Sequence, residues 1–321
     1  GLPWFTRERA AVAADPRSLL SEARSIVCVG LSYDTGPGPA GTVARYAWGL
    51  DYHYVLRTRL DALRAAIIAE FGEFEYRTFV DTGRLVDRAA AVRAGLGWYG
   101  KNTNVLNSRL GSWLFLGSLV TTLELEPDQP TRQHCGGCHA CIDVCPTGAI
   151  TAPYVVDNNR CISFLTIELR GPIPRDLRPL IGGYVFGCDL CQDVCPVNRQ
   201  AQPAYHADFA AVAATPSAEQ LPELLALSDD GFLERFRHSP IRRAKRRGLL
   251  RNVAVALGNT GGHEALQPLA DCLAREREPL VRGHAAWALG RLGGREPLRR
   301  VQGTETDLYV LEEIEVALTA Q

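Results

Sequence analysis

The sequence predicts an α+β multidomain chain in three parts: an α/β domain over residues 1–125, a cysteine-rich module over 126–201 and an α-helical repeat domain over 202–321. Three observations predict it. Strand-like and helix-like stretches alternate through the first part. Eight of the ten cysteines fall between Cys135 and Cys195. A helical motif recurs after 31 residues near the C-terminus, from Arg251 to Arg282.

In chain order, Thr6 to Ala14 is charged and alanine-rich and reads as a helix, which Asp15-Pro16 interrupts before a second helix over Arg17 to Ala23. Ser25 to Tyr33 is β-branched and apolar, a buried strand closed by the turn residues Asp34 to Pro39. Cys28, alone within it, reads as core. Trp48 to Phe71 carries an apolar stripe (Val55, Leu56, Leu60, Leu63, Ile67, Ile68) at helical spacing. Tyr76 to Asp81 is a strand ending on an acid, Asp87 to Leu96 a short helix, Gly97 to Asn104 a glycine-rich loop, and Ser112 to Leu125 one or two strands. Gln202 to Leu227 is a polar, alanine-rich linker with helix. Beyond it R-N-V-A-V-A-L-G-N-T-G-G and R-G-H-A-A-W-A-L-G-R-L-G-G repeat, as in short helical hairpins of the HEAT kind.

The cysteines carry the clearest chemistry. Cys135, Cys138, Cys141 and Cys145 have the C-x2-C-x2-C-x3-C-P spacing of bacterial two-cluster ferredoxins. Cys188, Cys191 and Cys195 repeat its second half, and Cys161 is the nearby candidate for the missing ligand. In that pattern the fourth thiolate of each [4Fe–4S] cluster comes from the other motif. Cys135, Cys138, Cys141 and Cys195 therefore hold one cluster, and Cys145, Cys161, Cys188 and Cys191 the other. Four-cysteine zinc sites are the rival, and the two C-x3-C-P endings favour iron–sulfur. A disulfide scaffold would be richer in cysteine than ten in 321 residues.

Hydrophobic content of 46% and a net charge of -1 describe an ordinary water-exposed chain with no global attraction to nucleic acid. No apolar run approaches the ~20 residues of a membrane helix. Free thiolate ligands and the absence of a visible leader lead us to expect a cytoplasmic protein without a membrane partner. The chain starts at Gly1 and holds no methionine, which leads us to expect further sequence upstream.

Asp81 stands at a strand end, where side chains of α/β domains reach the ligand crevice. In an apolar crevice its carboxyl would stay protonated and ready to donate; otherwise it caps the turn before the next helix. The Gly97–Asn104 loop, with Lys101, could cradle a phosphate or simply turn the chain. From Arg235 to Arg251 there are eight Lys/Arg and no Asp or Glu. Arg242, Arg243, Lys245, Arg246, Arg247 and Arg251 read as a phosphate-backbone footprint, against a solvated face or a domain interface. The seven histidines form no metal-binding spacing; His134 could tune a neighbouring cluster and more simply sits on the surface.

Taken together, Asp81-Thr82-Gly83, Arg93-Ala94-Gly95-Leu96-Gly97-Trp98, Lys101-Asn102, Arg160-Cys161-Ile162-Ser163-Phe164-Leu165-Thr166, Tyr46-Ala47-Trp48 with Asp51-Tyr52-His53, the eight cysteines and Arg251-Asn252 resemble the epoxyqueuosine reductase family along essentially the whole chain. The resemblance implies a cobalamin-dependent oxidoreductase that reduces the epoxide of epoxyqueuosine, at the wobble position of a tRNA anticodon stem-loop, to an alkene. It implies two [4Fe–4S] clusters fed by an external electron donor, Asp81 as proton donor, and cobalamin between the α/β domain and the cluster module. Asp81, Lys101, Asn102, Ser163 and Thr166 would line the cofactor, and a monomer is expected. The chain departs from the family at Ala13 and Ala14, where an arginine is usual just ahead of the segment matching Pro16. A reductive dehalogenase, which pairs the same cofactors, and a non-enzymatic electron-transfer or cluster-scaffold protein are the alternatives.

Overall fold

The computed structural model describes residues 6–36, 41–202 and 206–319. Helix α1 (Arg7–Ala14) is capped by Thr6, whose hydroxyl accepts from the amide of Arg9. The second expected helix is only a 3-10 turn at Pro16–Ser18; Leu20 and Ala23 beyond it are buried against Leu85 and Val120. Strand β1 (Ser25–Ser32) then enters a three-stranded sheet. Of its predicted closing turn, residues 37–39 lie outside the described residues.

Helix α2 (Tyr52–Phe71) starts four residues later than its apolar stripe suggested, because Asp51 is its N-cap, accepting from the amide of His53 at 3.0 Å. It buries Leu56 and Leu60, each worth about 1.5–3 kcal/mol of transfer free energy, with Val55 and Leu63 packed beside them. Strand β2 (Tyr76–Phe79) follows, then α3 (Asp87–Arg93). The expected glycine loop is a small hairpin of β3 (Trp98–Tyr99) and β4 (Val105–Leu106). A Cβ at Gly97 would lie 2.0 Å from the Leu106 carbonyl oxygen, so only glycine lets the hairpin close.

Strand β5 (Leu114–Thr121) takes the centre of the sheet, antiparallel to both β1 and β2, with Ser118 opposite Cys28 on one side and Phe79 on the other. Alternating strands and helices pointed to an α/β domain, whose sheets are mostly parallel; each pairing here is antiparallel. β1–α2–β2 is a crossover whose two parallel strands stand one place apart, and β5 fills the gap. Cys28 is half-buried rather than fully enclosed, and burial raises its thiol pKa.

The cysteine module has little regular structure: α4 (Ala140–Asp143), the hairpin β6 (Ile150–Ala152) and β7 (Val155–Val156), α5 (Ile162–Ile167), α6 (Leu190–Asp193) and α7 (Pro196–Arg199). α4 packs on α6, which brings the two cysteine motifs together. Short helices α8 (Leu221–Leu224) and α9 (Asp229–Arg235) lead into α10 (Lys245–Thr260), α11 (Leu266–Arg275), α12 (Pro279–Arg291), α13 (Arg295–Gln302) and α14 (Leu308–Thr319). α12 packs between α10 and α14, with α11 and α13 alongside, so the two sequence copies lie on neighbouring helices. A Cβ at Gly258 would come within 2.9 Å of Ala288, so α10 and α12 meet closely there.

The helical stack is not separate from the rest. Val43, Trp48, Val185 and Phe186 belong to the same buried cluster as Leu250, Leu289 and Ile314. Arg178 and Glu313, both buried, form a two-bonded ion pair at 2.7 and 2.8 Å between the module and α14. Among the described residues no helix is long and apolar enough to cross a membrane.

Candidate active site

A cavity of about 1510 Å³ opens between the sheet, the cysteine module and the start of the helical stack. It exceeds the ~300–1,000 Å³ of ordinary small-molecule pockets. On its sheet side lie Tyr46, the α2 N-terminus and the loop after β2; facing them are Cys145, Cys161, Cys188 and Cys191; Arg237, Arg242 and Arg243 form a third side.

Asp81 follows β2 with φ of 53°, a conformation that aspartate adopts more readily than most side chains and that sets the loop sharply apart from the strand. Its Oδ2 accepts from the Tyr52 hydroxyl at 2.7 Å. Tyr52 is fixed by ring stacking on Phe115 at 4.4 Å and on His53 at 4.2 Å. The His53 Nδ1 pairs with Asp51 Oδ1 at 2.7 Å, while its Nε2 stands 3.7 Å from Asp81 Oδ2. That second gap is an ion-pair distance, too long for a hydrogen bond, and the buried Nε2 has no hydrogen-bond partner.

The electrostatics reverse one expectation. Asp81 was to be kept protonated by desolvation; instead its carboxyl is held below the usual range, because His53 and then Tyr52 outweigh the cost of burial. The proton sits next door: despite burial, the two carboxylates Asp51 and Asp81 push His53 up to about 9. Burial does raise two other carboxyls of the cavity to about 6: Asp87, with the negative charge of Asp81 adding to the effect, and Asp189 on the cysteine side. The Asp87 Oδ1 is buried without a partner. Sequence alone assigned no role to Asp87, and pointed to Tyr52 and His53 through family likeness alone. An N-cap aspartate followed directly by Tyr-His was the available signal, since it places both rings at one helix end.

The cysteines sort into two groups by which of them sense one another's charge. Cys141 and Cys195 are both raised by Cys135 and Cys138, whereas Cys188 is raised by Cys161 and Cys145, and Cys191 by Cys188 and Cys161; burial is the largest cause in each case. Cys138 is exposed, but Cys188 is pushed up to about 12 by burial. None of the ten cysteines is joined in a disulfide. His134 is exposed and accepts from the amide of Gly136 at 3.0 Å.

Asn102 and Ser163 line the cavity, and Asn102 Nδ2 donates to the Cys191 carbonyl at 3.4 Å. Two expected lining residues do not. Lys101 turns to the other cysteine loop, its Nζ donating to the carbonyls of Gly136 and Cys138 at 2.9 and 2.8 Å. Thr166 is buried within α5, bonded to the Ile162 carbonyl and the Gly187 amide. Arg9 and Ala13 of α1 both reach the cavity wall, so an arginine is present there although Ala13 and Ala14 replace the usual one.

The basic run divides likewise. Arg242, Arg243, Lys245 and Arg247 are exposed, with Arg243 paired to Glu168 at 2.8 Å. Arg246 is half-buried and occupied by Glu276 and the Leu227 carbonyl. Arg251 is 1% exposed, and its guanidinium donates to the carbonyls of Leu165, Leu169 and Gly171. A phosphate contact from Arg251 is therefore excluded by its position: it ties α10 to α5.

Comparison with known proteins agrees with this geometry. Residues 134–198 match the family model described as 4Fe-4S double cluster binding domain, and residues 14–82 the one described as Epoxyqueuosine reductase QueG, DUF1730. The Pseudomonas aeruginosa epoxyqueuosine reductase is 49% identical over 255 residues, covering 78% of this chain and 70% of that protein. A crystal structure of epoxyqueuosine reductase with an epoxyqueuosine-modified tRNA-Tyr stem loop superposes with a TM-score of 0.87 at 35% identity, covering 94% of this chain and 83% of the other. The Bacillus subtilis epoxyqueuosine reductase, with the aspartate-bearing catalytic loop swung out of its active site, superposes at 0.89 with 33% identity, covering 98% and 86%. The chain thus has a 4Fe-4S cluster-binding domain, and it belongs to the epoxyqueuosine reductase family of oxidoreductases.

Proposed function

We propose that this protein reduces epoxyqueuosine in the anticodon loop of tRNA to the alkene, consuming two electrons and two protons and releasing water. The observation that carries the proposal is the cavity itself, with Asp81 and its partners on one side and Cys145, Cys161, Cys188 and Cys191 on the other. Those four thiolates hold the inner of two [4Fe–4S] clusters, and Cys135, Cys138, Cys141 and Cys195 the outer one, whose loop includes the exposed Cys138. With both clusters bound, these two thiolate sets would let electrons from an external donor enter on the exposed side and reach the cavity side.

The cavity's size and its unlike sides fit a corrin with a flipped nucleobase. Asp81, Asn102 and Ser163 border that space. When bound, cobalamin would supply a strongly reduced centre able to take single electrons and engage carbon. The rest of the work belongs to side chains. Tyr52 aims the Asp81 carboxyl by its 2.7 Å bond. The proton delivered is the one held on His53 beside Asp51: the ionised Asp81 takes it up as its loop closes the 3.7 Å gap to Nε2 and passes it to the oxygen leaving the ring. A loop with an unusual φ at Asp81 suits a group that moves between partner and substrate, as the swung-out loop of the Bacillus subtilis relative illustrates. Arg237, Arg242 and Arg243 would receive phosphates flanking the reacting nucleotide, consistent with the tRNA stem loop carried by the solved relative. The HEAT-like stack is tied to the cysteine module through Arg251.

The test is single turnover by the cofactor-loaded protein on an epoxyqueuosine-bearing stem-loop, read by mass spectrometry. Loss of one oxygen for two electrons consumed is expected. An unchanged mass with both clusters and corrin in place would overturn the proposal.

A further inference from the structure

Arg45 belongs to the sheet-side part of the molecule, yet its strongest contacts are with the cysteine module. It sits in a 3-10 turn (Arg45–Ala47) between Ala44, whose amide donates to the Phe186 carbonyl at 2.8 Å, and the cavity residue Tyr46. Its own amide donates to Asp189 Oδ2 at 2.7 Å. Its guanidinium donates to Asp193 Oδ1 at 3.2 Å and stands 3.9 Å from Asp34. The cation lies over the Trp113 ring at 4.5 Å and near that of Trp48 at 5.7 Å, which fixes it in one place.

Two of the three carboxylates it meets are unusual in position. Asp189 and Asp193 lie on the segment Cys188-Asp189-Leu190-Cys191-Gln192-Asp193-Val194-Cys195, which supplies thiolates to both cysteine sets. Negative charge beside an iron–sulfur cluster makes reduction harder, and positive charge makes it easier, because the cluster gains an electron. A clamp needed only for folding could have used a neutral donor. A guanidinium held over the Trp113 ring and bonded to Asp193, on a segment that serves both sets, is placed to act on charge.

We infer that Arg45 is a positioning residue for electron delivery: it offsets Asp189 and Asp193 and so raises the reduction potential of the clusters this segment holds. The inference rests on the assignment of two clusters made above. No electron passes through Arg45; one electron at a time still moves from donor to cluster, and the donor is oxidised accordingly.

Redox titration of the anaerobic, iron-loaded protein, followed by electron paramagnetic resonance, tests it in wild type, Arg45→Lys and Arg45→Gln at matched iron content. In Arg45→Gln the ratio of reduced to oxidised cluster at a fixed potential should fall about tenfold, equal to about 59 mV for a one-electron centre. Arg45→Lys, which keeps the charge and loses the planar fork, should retain most of the wild-type ratio. An unchanged ratio in Arg45→Gln with full iron overturns this inference and leaves the cluster assignment standing. Equal falls in both variants also overturn it, since geometry rather than charge would then be the cause. A wild-type protein that takes up no iron overturns the assignment and the inference together. Should Arg45→Gln lose iron, Asp193→Asn decides: the ratio is expected to rise, and no rise overturns the inference.

Discussion

Two segments each supply thiolates to both proposed cysteine sets, yet only one set borders the cavity. Cys188 and Cys191 border the cavity, buried enough that the Cys188 thiol is pushed up to about 12. Cys195, four residues beyond Cys191, instead feels the charge of Cys135 and Cys138, whose loop has an exposed cysteine and the ammonium of Lys101. The difference teaches how a repeated motif acquires direction. Spacing alone makes the halves equivalent, and the surrounding fold decides which half meets solvent and which meets the reacting group.

If that direction is right, changes on the cavity side should strike turnover and leave the outer cluster's spectrum alone. Asp81→Asn is expected to have the largest effect, lowering single-turnover rate by about 10²–10⁴ with iron content unchanged, since an amide fills the space but supplies no proton. Near-normal turnover would reduce Asp81 to a turn residue. His53→Gln should cost less and change the pH profile. His53 is protonated below its raised value, so the wild-type rate should fall as pH rises through about 9, and the variant should lack that limb. The sign for stability is the same: pairing of His53 with Asp51 and Asp81 stabilises fully below its ordinary pKa of about 6.5, and the gain is lost as pH rises through about 9.

Smaller effects sharpen the outer boundary of the cavity. Replacing Arg237, Arg242, Arg243 and Arg247 by Gln should flatten the salt dependence of stem-loop binding by roughly 0.7 in log–log slope for each phosphate no longer neutralised. Turnover at saturating stem-loop should persist. An unchanged slope would make the rim a solvated face. The mildest change is Asp87→Asn. A carboxyl whose folded pKa is raised holds its proton more tightly in the native state, so stability falls as pH rises from about 3.8 to about 6. Asp87→Asn should remove that loss and stabilise the protein near neutral pH by on the order of 1 kcal/mol, discounted for partial exposure. A thermal shift absent at pH 7 would contradict it.

Much of this was legible in the residues, and the failures have identifiable causes. The cluster-binding module was legible, because C-x2-C-x2-C-x3-C-P spacing marks a 4Fe-4S domain by itself. The central place of β5 was not legible, since Ser25 pairs with Thr121 across nearly the whole first domain and no local pattern records such pairing. Arg251 was misread by counting charge without helical phase. It falls in the apolar run Leu249 to Leu257, where an arginine must find carbonyls. Lys101 and Thr166 were placed by likeness, which names positions but not side-chain directions. Asp81's ionisation depended on His53, distant in sequence from Asp81 and reachable only through the fold.

Cys195→Ser tests the central comparison most directly. After anaerobic loading, iron counting and electron paramagnetic resonance should show the outer cluster damaged and the inner one intact, with its signal still perturbed when stem-loop is added. Selective loss of the inner cluster, the one that includes the adjacent Cys191, would contradict the crossing and with it the placing of only one set on the cavity.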